Sequence, residues 1–439
     1  MFEKEVFIMK NTKTAIFVLA AALVLSACAT GPKRKVTDSF TLSNPTSTVM
    51  LTANCKAYID AMREQEKTLF PGDNNQGKYK YSDLNGEAGV SIEDYLDTGD
   101  VEGKNQTVSG KVPNRSDRSE PINLKFTSKL NAPASEHKIL VSTTQTFKDA
   151  KQFDVKDDFS ADVNNLMVNT EYYWKVITDK EESPALTFTT ADYPRWMSAR
   201  PVYNVRDNGG YMTISGQRVK QGLVYRGGEI TTKAWSEHLK TYSAASKKVF
   251  REDMNIGIEL DLRGSSDIGD GYKACAFADK DEKTGKNDID YEMHAIKSYE
   301  QTFTQTRTEV PKIFKILANA NNKHVYYHCY GGADRTGTVG FLLNGLLGVS
   351  YTDLVIDFEL TSYSSINNEH IRNHKDGHQH QYDRWPALIN QLKTDTTNGY
   401  AWDDEALLKD NIESFLTKAC KVPQETINTV KSIMLEPAK

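Results

Sequence analysis

The sequence predicts a multidomain chain, an N-terminal β-sandwich followed by an α/β domain whose central sheet is flanked by helices. Three observations predict it. Residues 122–127, 137–141, 171–177 and 185–189 alternate apolar and polar side chains between turn-rich segments, the pattern of half-buried strands. Downstream, short β-branched and aromatic runs at 224–225, 256–262, 291–296 and 323–328 mingle with helical patterns at 338–347, 351–360, 385–392 and 402–419. The chain of 439 residues is also longer than one core usually accommodates.

From the N-terminus, Lys10 and Lys13 lead into an uninterrupted small and apolar run at 14–27. It is short for a membrane span and suits a secretory signal, with an uncleaved signal anchor as the rival reading. Residues 28–38 follow as a polar tether. The sandwich is expected over 39–191, with a first strand at 49–52 and a helix at 57–67. The Gly, Asn and Asp-rich stretch up to residue 115 reads as an insertion or a long irregular surface. Asp192 to Arg195 is the natural boundary, and the α/β domain occupies 195–439.

The formal charge of −5 and the absence of a basic block argue against nucleic-acid binding. Of the five cysteines, Cys28 and Cys329 are set aside for the roles argued below, and the remaining three, Cys55, Cys275 and Cys420, are scattered and do not make a disulfide framework. Cys275 is open to two readings, a buried structural thiol or a partner in a reversible disulfide that protects a reactive one. His370, His374, His378 and His380 form a cluster that reads either as a metal site or as a solvated turn.

The chemistry concentrates at residues 328–337 (HCYGGADRTG). They join an expected strand to an expected helix, where backbone N–H groups of Tyr330, Gly331, Gly332, Ala333, Asp334 and Arg335 can converge on an anion at the positive end of the helix. The two glycines permit a tight cradle, and Arg335 supplies a planar fork for two phosphate oxygens. Cys329 then faces the phosphorus, in surroundings that favour the thiolate. Thr336 is placed to donate its hydroxyl to the sulfur, and His328 to fix the loop through ring hydrogen bonds. Asp334 is the first choice for the acid that protonates the leaving oxygen, and Asp288 and Asp290 are the alternatives. The alternation of 256–263 brings Asp261 and Arg263 together at a strand end, where α/β sites gather their residues. Ser350, three residues before Asp353, resembles a capping residue opening a helix. The chemistry needs no metal and no cofactor.

These residues resemble the signature HCxxGxxR of the cysteine-dependent protein tyrosine phosphatases, and most nearly the bacterial secreted branch with an HCxxGxDRTG loop. Segments 204–210 (NVRDNGG), 222–230 (GLVYRGGEI) and 258–264 (IELDLRG) are similar to further motifs of that branch, in its order. The resemblance implies a cysteinyl-phosphate mechanism with Asp334 as acid and with Asp261 and Arg263 as supports. The chain departs from it at Ala333, where many relatives carry a lysine that helps bind extra phosphates; the departure points away from phosphoinositides. Phosphotyrosine is the expected substrate, with dual specificity left open, and inositol phosphates or small phosphoesters are the alternative. A non-catalytic surface lipoprotein that binds phosphorylated ligands is a further one. Leu25-Ser26-Ala27-Cys28 resembles the bacterial lipobox, which implies lipidation of Cys28, a membrane anchor, and a mature chain facing the periplasm or the cell exterior. Residues 169–176 (NTEYYWKV) resemble a strand of fibronectin type III modules. Such a module serves as a spacer or binds a glycan or protein partner, and tyrosines at 79–95 are candidate contacts.

Overall fold

The computed structural model describes residues 34–51, 53–69, 117–191, 194–230, 243–268, 274–364 and 384–437. The leader with Cys28, the 70–116 stretch, Asp192, Tyr193 and the four histidines of the cluster lie outside the described residues. By contacts the chain divides into two compact units, one formed by residues up to 47 with 123–162 and 171–188, the other by 48–122, 163–170 and 189 onward.

The first unit is built from strands. Glu171–Ile177 pairs antiparallel with Lys138–Ser142, which pairs antiparallel with Lys151–Asp154. The expected alternation is present: Tyr172, Trp174 and Val176 are buried, and so are Ile139 and Val141. Phe40–Asn44 runs antiparallel to Ile122–Ser128. Phe126 meets Phe159 edge-on, with ring centroids 5.5 Å apart, and His137 packs beside both. The strands Phe40–Asn44, Lys151–Asp154 and Ser160–Val163 carry weaker alternation and were not expected.

In the second unit the five-stranded sheet has the spatial order Arg206–Asp207, Val224–Gly227, His324–His328, Ile256–Asp261, Asp290–Met293. The last four are mutually parallel and the first runs antiparallel at the edge. Parallel strands need covering on both faces, and their side chains are accordingly almost all buried in the three middle strands. Helix Val310–Leu317 buries Val310, Ile313, Phe314 and Leu317, a single stripe at helical spacing. Helix Asp334–Leu347 is buried on nearly all sides and ends at Gly348, whose φ of 89° provides the left-handed cap. Ser350 caps the next helix, Tyr351–Glu359, by accepting from the Asp353 N–H, as expected.

One expected helix is shorter than the sequence suggests. Residues 402–407 form turns rather than the start of a helix, because Asn411 binds the Asp403 backbone with both ends of its amide, at 2.9 and 2.8 Å. The helix runs over Leu408–Ser414 and continues as the wider turn Phe415–Ala419.

Candidate active site

The strand His324–His328 ends at Cys329, and the helix begins at Asp334, four residues earlier than the apolar pattern alone suggests. The loop between them lies at the carboxyl ends of the parallel strands, where the register sets His328 beside both Gly227 and Asp261.

Each carbonyl of this loop has a donor. His328 Nδ1 bonds the Cys329 oxygen at 2.9 Å, and the Glu229 N–H bonds that of Tyr330 at 2.9 Å. Asn204 Nδ2 donates to the oxygens of Gly331 and Gly332, both at 3.1 Å, and Arg226 Nη2 also reaches Gly332 at 3.2 Å. The Ala333 oxygen accepts from the Gly337 N–H at 2.8 Å. By contrast, the backbone N–H groups of Gly331, Gly332, Ala333 and Arg335 have no acceptor among the described residues. Carbonyls turned into the protein leave the amides for an anion, since buried N–H groups rarely stay unmatched. Gly332 has φ 69°, and a Cβ there would come within 2.3 Å of the Gly227 backbone, so only glycine fits.

Cys329 is 4 % exposed and is a free cysteine, as are Cys275 and Cys420. Arg335, in the first turn of the helix and partly exposed, is held by Asp267 through Nη1 at 2.5 Å. Burial works against ionisation of Asp267, but Arg335 and the Gly264 N–H outweigh it and keep the carboxyl below its ordinary range. Asp334 accepts from the Tyr299 hydroxyl at 2.5 Å. Tyr299 holds φ 50° and ψ −129°, a region costly for a side-chain-bearing residue, and its N–H is fixed to Thr338 of the same helix at 3.0 Å. Thr336 is fully buried, and its hydroxyl has no hydrogen-bond partner among the described residues. The expected bond to the Cys329 sulfur is therefore not formed in this geometry.

Two clusters of buried charge back the loop. In one, Asp357 meets Arg226 in a close ion pair and Arg206 Nε at 2.9 Å, and accepts from Tyr211 at 3.0 Å. Burial would raise the Asp357 carboxyl, but the two guanidinium groups hold it below its ordinary range. In the other, Arg263 grips Asp261 through Nε at 2.9 Å and Nη2 at 2.7 Å and pairs closely with Glu229. Burial pushes Glu229 up to about 7 against the pull of Arg263. His328 Nε2 bonds Glu259 at 2.9 Å. Ligand atoms of Glu259, Asp261 and His328 lie within 4.8 Å of one another, a spacing a metal ion could use. Arg263, however, already engages both oxygens of Asp261, and both His328 nitrogens are hydrogen-bonded.

The structure thus brings together His328, Cys329, Asp334, Arg335, Asp261 and Arg263. Asp288 and Asp290 stand apart: Asp290 pairs with Lys323, just before the strand that Cys329 follows, and Asp288 pairs with Arg251. A five-residue strand separates them from the loop, roughly 17 Å at strand rise. Sequence reasoning assigned no role to Asn204, Arg206, Arg226, Glu229, Glu259, Asp267 or Asp357. A carboxylate at alternating positions 259 and 261 of an otherwise apolar strand was the available signal.

Residues 197–436 match the model of the tyrosine phosphatase family. Similar solved structures include the core catalytic domain of the PP-IP phosphatase SIW14 from S. cerevisiae in complex with citrate. It is 15 % identical, with a TM-score of 0.24, over 35 % of this chain and 76 % of that one. Another is OH1 from the Orf virus, a tyrosine phosphatase with triple substrate specificity, 11 % identical, with a TM-score of 0.17, over 45 % and 83 %. No curated protein matches. The family match spans more than half of the sequence, from the residues that brace the loop to the last helix, and the chain belongs to the tyrosine phosphatase family.

Proposed function

We propose that the protein is an exported, lipid-anchored phosphatase that hydrolyses phosphotyrosine through a cysteinyl-phosphate intermediate. The observation that carries the catalytic part is the loop itself, with its carbonyls bound by the surrounding protein, amides left over, Cys329 at its start and Arg335 at its end. The Cys329 thiolate attacks phosphorus; the S–P bond forms, the P–O ester bond breaks, and Asp334 gives its proton to the leaving oxygen. Loop amides and Arg335 stabilise the equatorial oxygens. Water then attacks the phosphorus, Asp334 takes a proton from it, and inorganic phosphate leaves as the thiolate is restored. Asp261, Arg263 and His328 support the loop, and Thr336 is available to the departing sulfur. No cofactor takes part.

A monophosphate is the favoured substrate, because position 333 is a buried alanine and offers no cation to a second phosphate. The leader at 1–27, with Cys28 as acceptor and 28–38 as tether, supports the anchored, exported reading. Two or three acyl chains bind a membrane stably at about 0.8 kcal/mol per buried methylene. The alternating strands of the first unit support a fibronectin type III-like sandwich over 39–191 that serves as spacer, ahead of a catalytic domain over 195–439.

Steady-state hydrolysis of a phosphotyrosine peptide, a phosphoserine peptide and inositol hexakisphosphate by the full chain tests the reading. Turnover selective for phosphotyrosine is expected, with Cys329→Ser inactive and Asp334→Asn lowered about 10²- to 10⁴-fold. Phosphopeptide binding without turnover of any substrate would leave a binding protein instead. Labelling with a fatty acid that Cys28→Ala abolishes would support the anchor, and labelling unchanged in that variant would refute it.

A further inference from the structure

Glu259 is fully buried in the strand beside the one that ends at Cys329, and the reaction described above does not use it. Its carboxylate has two neighbours of note. His328 Nε2 lies 2.9 Å away, and the Cys275 thiol hydrogen-bonds it. The other ring nitrogen, Nδ1, lies 2.9 Å from the Cys329 carbonyl oxygen, which can only accept. That nitrogen therefore carries a proton. A hydrogen bond between Nε2 and a carboxylate oxygen needs a second proton between them, and the carboxylates around the ring favour its staying on the imidazole. The Cys275 thiol donates to the same carboxylate.

We propose that Glu259 is a positioning residue that holds His328 doubly protonated behind Cys329, and so sets the pH range over which Cys329 is a ready nucleophile. Its consequence for turnover rests on the phosphatase reading; its effect on the thiol does not. Asp261 adds its negative charge to the ring's surroundings, but its oxygens are engaged by Arg263 and Tyr291, so Glu259 is the carboxylate that binds the ring N–H. The remaining groups around the ring are accounted for. Arg263 also pairs with Glu229, Tyr291 donates to Asp261 at 3.1 Å, and Tyr326 stacks on His328 with centroids 5.5 Å apart and donates to the Gly228 oxygen. Burial keeps the Cys275 thiol protonated, so it serves Glu259 as a donor. Against that background burial lowers the His328 pKa, and the nearby carboxylates more than restore it. The ring bonds the Cys329 backbone through one nitrogen and Glu259 through the other, so its positive charge stands between that carboxylate and Cys329.

The test is the rate of Cys329 alkylation by iodoacetate between pH 4.5 and 9, read by mass spectrometry of the Cys329 peptide, in the full chain and in Glu259→Gln and Cys275→Ala. Glu259→Gln should raise the alkylation midpoint by about one pH unit, a tenfold loss of thiolate below it. Cys275→Ala, which spares the charge, should stay within about threefold of the unmodified chain at every pH. The acid limb of kcat/KM should move with the midpoint while plateau kcat holds. Superimposable midpoints for the chain and Glu259→Gln would overturn the proposal. Should the variant fail to fold, ¹⁵N spectra of His328 in the unaltered protein decide: two protonated nitrogens at pH 7.5 are expected, and a ring that has lost one by then would overturn it. A shifted midpoint in a chain without phosphatase activity would refute the function and leave the role of Glu259 standing.

Discussion

The two charge clusters behind the catalytic loop are built on opposite ratios. Around Asp357, two guanidinium groups share one carboxylate; around Arg263, three carboxylates face one guanidinium and one imidazole. The first cluster has no group that titrates near neutrality, because surplus cation holds Asp357 ionised. The second has more carboxylates than cations, and one of them, Glu229, is raised to about 7 by burial against the pull of Arg263 and His328. One side of the loop is therefore braced at any working pH, and the other is responsive. Both braces reach the same short segment, through Arg226 to Gly332 and through Glu229 and His328 to Tyr330 and Cys329.

The largest expected effect comes from breaking the unresponsive side. Asp357→Asn strands Arg206 and Arg226 without their counter-charge, and the loss of stability in urea unfolding should be about 3–5 kcal/mol. A loss below ~1 kcal/mol would mean that water reaches the guanidinium groups and that this cluster is not a closed one.

Next is the pH dependence of the responsive side. Glu229 has a folded pKa of about 7 against ~4.3 in the unfolded chain, so between those values the fold binds more protons than the unfolded chain does. Its contribution is most favourable below the unfolded value, declines as pH rises through the window, and levels off above about 7. Between pH 5 and 8 this single group should cost about 2–3 kcal/mol. Glu229→Gln removes the titration, so the variant should lose less stability than the unaltered protein over that interval. Parallel stability profiles for the two would show that Glu229 titrates normally.

The smallest effect sets the scale. Ser350→Ala removes a neutral cap bond that belongs to neither cluster, and thermal or urea unfolding should register about 1 kcal/mol with no pH dependence between 5 and 8.

The sequence made the front of the loop legible because Cys329, the glycines and Arg335 are contiguous and sit between a strand pattern and a helix pattern. Strands with clean alternation, such as Glu171–Ile177, were readable for the same reason. The braces were not. Asp357 reaches residues 151 and 131 positions away, and Glu259 reaches His328 across 69. A buried, paired carboxylate looks in sequence like any solvated one, and only the sheet register brings such partners together. Asp288 and Asp290 illustrate the converse: near the site's strands in sequence, they lie at the far end of the sheet. The helix expected over 402–419 lost its first turns to side-chain-to-backbone bonds that periodicity does not register.

The contact between Gly332 and Gly227 has a consequence for local unfolding. Two backbone segments lie against each other with no side chain between them, and Gly227 in turn has no room for a Cβ beside Tyr326 and Val205. Surface loops usually open on their own at little cost, whereas this one cannot swing away without displacing the strand Val224–Gly227. Its amides should exchange hydrogen with the slow kinetics of the sheet centre rather than with those of a surface turn. An arriving anion then meets a cradle already in its final shape, so little of the binding free energy goes into ordering it.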